Sequence, residues 1–525
     1  MTARSSVKEP DIYYNKTKRI PYLYFWAGTA LFYSLIFTTV DFIGNPYSGA
    51  AGFLNLLMQW CVVAVSASGV IGLIGINRYV FSVAFPVLMA MSAALGYFKL
   101  TMGVALTPMC IELALVNNLN VWGTVMSVCL AMCLAVSVVA SVIAVVCRWR
   151  YVADRHHAVY AAVAVLIIAG ATHVARIKAP VMGRMPYVFY YSVKDYWGNR
   201  TVVRNERSTF DNTGVSVPEV SPDVVVVIGE SLRSDHVPMN GYHRNTMPRL
   251  SRDSNLISFA HVFSEPWCTH TSVPRIMTRA DSANPDIAYE EQSFITLFKR
   301  AGYHTVWLSN QDSNSTYAYF MHETDSLVMG NPAKSMYNFD KWLDVELVPD
   351  IHSLLNSHAD RKKLMVIHSI GSHWWYRSHY PDSLALFKPE TDSRVISELS
   401  REQIINSYDN TILATDDFLG KVIDCLRDRN AVLIYISDHG EALGEEGNYL
   451  HANDFPELHN PACLVWCSER YARLYPHRVY ALERNRAMDW STDAIFHSVA
   501  DAAGMESDAV VNNQSFFSYE EGRMD

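Results

Sequence analysis

The chain has 525 residues, more than one domain's worth, and a formal net charge of −9. No basic stripe interrupts its polar half, which argues against a nucleic-acid partner. Half of the residues are hydrophobic, but unevenly placed: residues 1–178 carry nearly all the long apolar runs, and residues 200–525 read as an ordinary soluble α/β protein.

Five segments are long and apolar enough to span a bilayer, at about 21–43, 52–75, 80–98, 121–147 and 157–177. The first is not a cleavable signal peptide, because its apolar stretch is too long and no small-residue cleavage site follows. Arg4, Lys8, Lys16, Lys18 and Arg19 precede it, Arg78 lies in the second loop, and Arg148, Arg150 and Arg155 lie in the fourth. The first loop has no basic residue and the third only Lys99. By the positive-inside rule the N-terminus is cytoplasmic, and an odd number of spans exports the C-terminal part. The expected division is a five-span α-helical transmembrane domain over 1–178, a linker over 179–221 and an exported α/β domain over 222–525. The linker is polar, with room for a short helix lying on the membrane.

In the loop 99–120, Glu112 falls where an interfacial helix would lie. An acidic group there can receive a cationic headgroup; an ordinary solvated glutamate is the alternative. Five of the nine cysteines (Cys61, Cys110, Cys129, Cys133 and Cys147) lie in or beside the spans and read as small apolar residues. Cys463 and Cys467 flank a short strand and are too far apart along extended chain to pair.

The exported part opens on a buried-strand run, 223–229, that ends at Glu230-Ser231 and is followed by Arg233, Asp235 and His236. Residues 258–262 form a further strand. The segment 265–274 crowds hydroxyls, Thr269 and Thr271 among them, just before a helix. Such hydroxyls are N-caps or, equally by residue type, phosphoryl-transfer nucleophiles beside a helix terminus that attracts phosphate. A helix over 290–302 and a strand over 304–309 follow. Another strand, 363–368, ends at His368, with His373 close behind, and a long helix covers about 399–428. The run 432–436 is then a buried strand ending in Ser437-Asp438-His439-Gly440, with His451 twelve residues on. Strands alternating with helices predict a parallel sheet with both faces covered. Ligands of such sheets sit beyond the carboxyl ends of the strands, where carboxylates and imidazoles make a plausible half of a metal site.

The pieces GESLRSDHVPMNGYHRNTMPRL (229–250), CTHTSVP (268–274), AGYHTVWLSNQ (301–311), IHSIGSHWWYRSHYP (367–381) and SDHGEALGEEGNYLH (437–451) resemble the membrane-anchored phosphoethanolamine transferases of Gram-negative inner membranes. Those belong to the alkaline phosphatase/sulfatase superfamily. The resemblance implies an α-helical transmembrane bundle followed by a periplasmic α/β domain of alkaline phosphatase/sulfatase type. It implies zinc held by Glu230, Thr269, Asp438 and His439, with Thr269 as the nucleophile and a second zinc possible during turnover. His368, His373 and His451 match histidines that bind the substrate phosphate or that second zinc, and Glu112 joins them as a substrate-binding group. Asp235 and His236 take a supporting role. The implied donor is phosphatidylethanolamine, within the membrane lipids, and the implied acceptor is a lipopolysaccharide, on its core sugars or on lipid A.

Two departures matter. The chain reads Trp-Cys-Thr where the lipid A branch has Cys-Gly-Thr, and it has no evident disulfide pairs, which leaves Thr271 as a rival nucleophile. It also lacks the Cys/Ser-x-Pro-x-Arg core of sulfatases, against sulfate ester hydrolysis. The rivals are a glycerolphosphate transferase of the lipoteichoic-acid-synthase type, typically with manganese, and a non-catalytic membrane sensor or assembly protein on the same fold. The last predicts a lost metal ligand, and none is missing.

Overall fold

The computed structural model describes residues 19–43, 49–102, 106, 111, 127–153, 156–200, 207–210, 213–311, 317–330, 341–358, 360–393, 395–451 and 453–519. Contacts divide the chain into two compact units, Met1–Leu100 with Ser127–Lys194, and Thr101–Met126 with Asp195–Asp525.

In the first unit, α1 (Tyr22–Phe42), α2 (Ala50–Ile76), α3 (Arg78–Thr101) and α4 (Val128–Tyr151) are each long and apolar enough to cross a membrane. A fifth span results if the bent pair α5 (His157–His173) and α6 (Ala175–Met182) counts as one. The sequence predicts an unbroken span over 157–177. Instead the helix leaves α geometry at Val174 (φ −80°, ψ 109°) and turns by 87°, at the point where Arg176 and Lys178 end the apolar run. Another helix, α7 (Tyr187–Arg200), follows.

Several charged groups inside this unit find partners within it, as a bilayer favours. Arg148 of α4 is buried and donates from Nε to the carbonyl of Gly75 (2.8 Å) and from Nη2 to that of Ile76 (2.7 Å). A guanidinium thereby caps the carbonyl end of α2, where the helix dipole is negative. Lys99 pairs with buried Asp41 at 3.1 Å, and the Asp41 carboxylate also accepts from the Met185 amide at 2.7 Å. Trp26 packs so close to Gly72 that a Cβ there would fall 2.2 Å from the indole, the small-residue contact that brings membrane helices together.

The second unit is built on a seven-stranded sheet. Its strands are β1 (Asp223–Gly229), β2 (Leu256–Phe259), β3 (His304–Ser309), β4 (Ser326–Met329), β5 (Lys363–His368), β6 (Ala431–Ser437) and β7 (Cys463–Cys467), in the order β2-β7-β6-β1-β5-β3-β4. β6, β1, β5, β3 and β4 run parallel; β7 is antiparallel to both β6 and β2. Every residue of β1 is buried. Val224, Val226 and Ile228 enter one apolar core and Val225 and Val227 the other. That is why the strand reads as an unbroken aliphatic run: both faces of the sheet are covered. The helix Arg401–Leu426 packs on the second core through Tyr408, Ile412 and Leu419 and starts in a reciprocal Ser400/Gln403 capping box.

The helix expected over 290–302 starts later, at Phe294. Ser293 accepts a hydrogen bond from the Ile295 amide and so caps a new helix, and what precedes it is a separate short helix, Ile287–Glu290. The strand expected at 258–262 is likewise two, β2 and a short Val262–Phe263.

The Ser293 amide and hydroxyl both donate to buried Glu323. Burial is the larger influence on that carboxyl and pushes its pKa up to about 7, against the opposing pull of the Ser293 hydrogen bonds. A group held above its unfolded value contributes stability that is full below the unfolded pKa and is lost as pH rises through the folded one. The protein should therefore lose about 3 kcal/mol from this group between about pH 5 and pH 8. Glu323→Gln should remove that component, read as a smaller fall in Tm over this interval than in the wild type.

Candidate active site

Gly229 and Ser437 are register partners on adjacent parallel strands, so the residues that follow them, Glu230 and Asp438, emerge side by side at the carboxyl edge of the sheet. The Ser231 amide donates to Asp438 Oδ1 at 3.1 Å, and the Asp438 amide to the Gly229 carbonyl at 3.1 Å. Glu230, Asp438 and His439 are all buried. Opposite them stands Thr269, the first residue of the helix Thr269–Met277, after extended Cys268. The Thr269 hydroxyl donates to Glu230 Oε2 at 3.2 Å and lies 3.3 Å from His439 Nε2. His439 Nε2 is 3.4 Å from Glu230 Oε1 and 3.4 Å from Asp438 Oδ2.

These donors fit a metal ion. His439 Nδ1 is 2.7 Å from the Gly440 carbonyl. A carbonyl only accepts, so Nδ1 carries the proton and Nε2 turns its lone pair to the carboxylates, the orientation of a ligating histidine. Asp438 Oδ2 is buried with no hydrogen-bond partner. Burial first, then repulsion from Glu230, raises the Asp438 pKa well above the ordinary carboxylate range. Burial acts the same way on Glu230, but His439, His373 and His451 outweigh it and hold that carboxyl low. Two buried carboxylates around a bare imidazole nitrogen form a charge deficit that a divalent cation fills, and oxygen and nitrogen donors suit zinc. Glu230, His439 and His451 also present ligand atoms all within 4.8 Å of one another.

His451 is held differently. Its Nδ1 is 2.8 Å from Glu441 Oε2, whose other oxygen accepts from the Tyr376 hydroxyl at 2.8 Å. Burial disfavours the imidazolium, but Glu441 more than offsets this, with Glu230 and Asp438 adding to it, and the pKa rises to about 9. The His451 ring lies 4.4 Å from that of His439 and 6.2 Å from that of His373.

The structure thus brings Glu230, Thr269, Asp438, His439 and His451 together, with His373 beside His451. His368 is packed otherwise. It is wholly buried at the end of β5, edge-on to Trp307 (6.0 Å) and Tyr317 (5.0 Å), with no hydrogen bond at either ring nitrogen. Burial lowers its pKa to about 4, so it is neutral. Thr271 turns back on its own N-cap, donating to the Cys268 carbonyl at 3.1 Å. Asp235 is gripped by Arg233 (2.9 and 2.6 Å), and His236 Nδ1 lies 2.8 Å from Asp409; both belong to the frame. Glu112 lies outside the described residues.

Three contributors escaped sequence reasoning. Gln311 donates to Glu230 Oε2 (2.9 Å) and to the Ser369 carbonyl (2.8 Å). Glu441 tethers His451. Gly371 sits at φ +48°, where a Cβ would lie 2.9 Å from both the amide nitrogen and the carbonyl oxygen of Glu230. Each falls inside or directly beside a motif already singled out, but only the fold shows its partner. Gly371→Ala should cost about 1–3 kcal/mol through the left-handed backbone and the clash. Because the neighbour it pushes is Glu230, it should also weaken metal binding, which isothermal titration with zinc would read beside the Tm.

A domain-family model described as Sulfatase matches residues 222–505. The chain is 33% identical over 254 residues to the Kdo(2)-lipid A phosphoethanolamine 7''-transferase of Escherichia coli (strain K12), covering 47% of this chain and 45% of that one. The chain spans about half the length of the curated relatives it matches. Among solved structures, the integral membrane lipooligosaccharide phosphoethanolamine transferase A of Neisseria meningitidis superposes with a TM-score of 0.78 at 23% identity, over 94% of this chain and 98% of that one. The C-terminal periplasmic domain of EptC from Escherichia coli, solved in complex with Zn, matches with a TM-score of 0.53 at 26% identity, over 59% and 90%.

Proposed function

We propose, for a chain that belongs to the Sulfatase family, that it transfers phosphoethanolamine from phosphatidylethanolamine to a lipopolysaccharide through a phosphorylated Thr269. The observation that carries this reading is the Thr269 hydroxyl, set at a helix N-terminus within 3.2 Å of Glu230 and 3.3 Å of His439. The relatives' names supply the group transferred and the class of acceptor.

Zinc is the metal we assign, held by Glu230, Asp438, His439 and Thr269, in keeping with the donor set and with the zinc complex of the EptC domain. We assign His451 to the substrate phosphate rather than to that set, although its nitrogen is near enough to the ligand atoms. Bound there, zinc would polarise the phosphoryl oxygen and favour the deprotonated threonine hydroxyl at neutral pH.

The residues divide the remaining work. Thr269 Oγ1 attacks phosphorus in line, the bond from phosphorus to the glycerol oxygen breaks, and diacylglycerol leaves. The proton lost by Thr269 balances the one gained by that leaving oxygen, and protonated His451 is placed to supply it. An acceptor hydroxyl or phosphate then attacks the same phosphorus, the Thr269 oxygen leaves and is reprotonated, and His451 works in reverse. His373 lines the phosphate's place beside His451. The apolar helices of the first unit hold the enzyme in the inner membrane with the catalytic part in the periplasm, where both lipid substrates are anchored. The boundaries 1–178, 179–221 and 222–525 belong to this reading.

The test is turnover of phosphatidylethanolamine carrying a fluorescent acyl chain by the purified full-length protein. Fluorescent diacylglycerol should appear from this donor, stop on chelation and return with zinc. Release from phosphatidylglycerol in its place would move the reading to glycerolphosphate transfer. Release from neither would contradict it.

A further inference from the structure

Within the unit formed by residues 1–100 and 127–194 lies a cleft of about 830 Å³, inside the roughly 300–1,000 Å³ range in which proteins hold small ligands. Its walls differ in chemistry. Val70 and Ile74 of α2 and Val87, Leu88 and Met91 of α3 give it an aliphatic side. Val87 and Met91 remain 53% and 44% exposed, so no described residue of the unit covers that side. The short helices that follow the spans supply the other side, with Lys178 on α6, Lys194 on α7, and His173 closing α5.

Among the described residues no aspartate or glutamate lines the cleft. Among the described residues neither Lys178 nor Lys194 is paired with a carboxylate. The Lys178 ammonium instead lies 5.8 Å over the ring of Tyr191. Tyr187, whose hydroxyl donates to the Ser66 carbonyl at 2.9 Å, fixes this wall against α2. An open aliphatic trough ending in uncompensated cations and phenols is complementary to acyl chains ending in an anion. A zwitterionic headgroup fits less well, because its ammonium would lie among three cationic or protonatable groups with no acid to receive it.

We propose that this cleft holds one anionic glycerophospholipid of the phosphatidylglycerol class, its chains along α2 and α3 and its phosphate at Lys178 and Lys194. The site lies outside the residues assigned to phosphoethanolamine transfer and does not rest on that assignment. The lysines set the expected preference, since each basic group near an anionic lipid surface contributes appreciably to its retention. The experiment is native mass spectrometry of the full-length protein in detergent, titrated separately with phosphatidylglycerol, phosphatidylethanolamine and phosphatidylcholine. One phosphatidylglycerol should be retained roughly tenfold more tightly than the other two. Lys178→Gln/Lys194→Gln should abolish that preference while leaving the unliganded Tm unchanged. Equal retention of the three lipids, or a preference that survives in a folded double variant, would overturn the proposal. So would a drop in retention of all three lipids together, because the cleft would then select for chains alone.

Discussion

Thr269→Ala is expected to reduce diacylglycerol release by roughly 10⁴–10⁶-fold, the scale of losing a covalent nucleophile. The reason is positional. Thr269 is the hydroxyl that reaches both Glu230 Oε2 and His439 Nε2, and it stands where a helix N-terminus favours phosphate. The variant should still fold, since the side chain is only half-buried and gives up one hydrogen bond to Glu230. Thr269→Ser keeps the oxygen and should keep part of the rate. Thr271→Ala is the matched control. Its hydroxyl bonds back to the Cys268 carbonyl, so the variant should lose some helix-start stability and little activity. A collapse of activity in Thr271→Ala with Thr269→Ala intact would move the nucleophile.

The second large effect concerns the carboxylates. Asp438→Asn should lower zinc affinity by at least roughly 100-fold, more than the loss usual for a partner that merely orients a ligand. Its effect on stability should change sign with the metal. Asp438 is buried, repelled by Glu230, and has an oxygen without a hydrogen-bond partner. Replacing it by a neutral amide should stabilise the metal-free protein at neutral pH, because a carboxyl whose pKa is raised on folding costs stability above its unfolded pKa. The same change should destabilise the zinc-loaded protein. Tm measured with and without zinc, beside metal content by elemental analysis, reads both arms. A Tm that falls equally in both would mean that Asp438 is a structural hydrogen-bonding residue and nothing more.

Much of this site is legible in the chain because the strands that carry it are unmistakable. Val224 to Ile228 and Val432 to Ile436 can only be buried strands, and each stops at a charged residue, so Glu230 and Asp438-His439 announce a shared edge before any register is known. Thr269 is legible to type, as a hydroxyl before a helix, but the choice between it and Thr271 needs the direction of each side chain. Gln311 and Glu441 were out of reach for another reason. Gln311 meets Glu230 across 81 residues of chain, through strand order that no local pattern encodes. Glu441 matters only because Leu450, at φ +61°, and the turn before it bring His451 back over the strand end. His368 is a different case: its place at the end of β5 suggests a site residue, and the fold sets its ring edge-on to Trp307 and Tyr317. In the apolar unit the spans were legible from length alone, while the 87° turn at Val174 was not, because a helix and a bent helix share one hydropathy pattern.

The most direct measurement is the intact mass of the full-length protein after brief incubation with phosphatidylethanolamine and no acceptor. A phosphoethanolamine group on threonine adds about 123 Da. The wild type should gain it while diacylglycerol is released, the gain should map to Thr269, and Thr269→Ala should show none. Diacylglycerol release with zinc present but no mass gain in any rapidly quenched sample would contradict a covalent threonine and point to direct transfer.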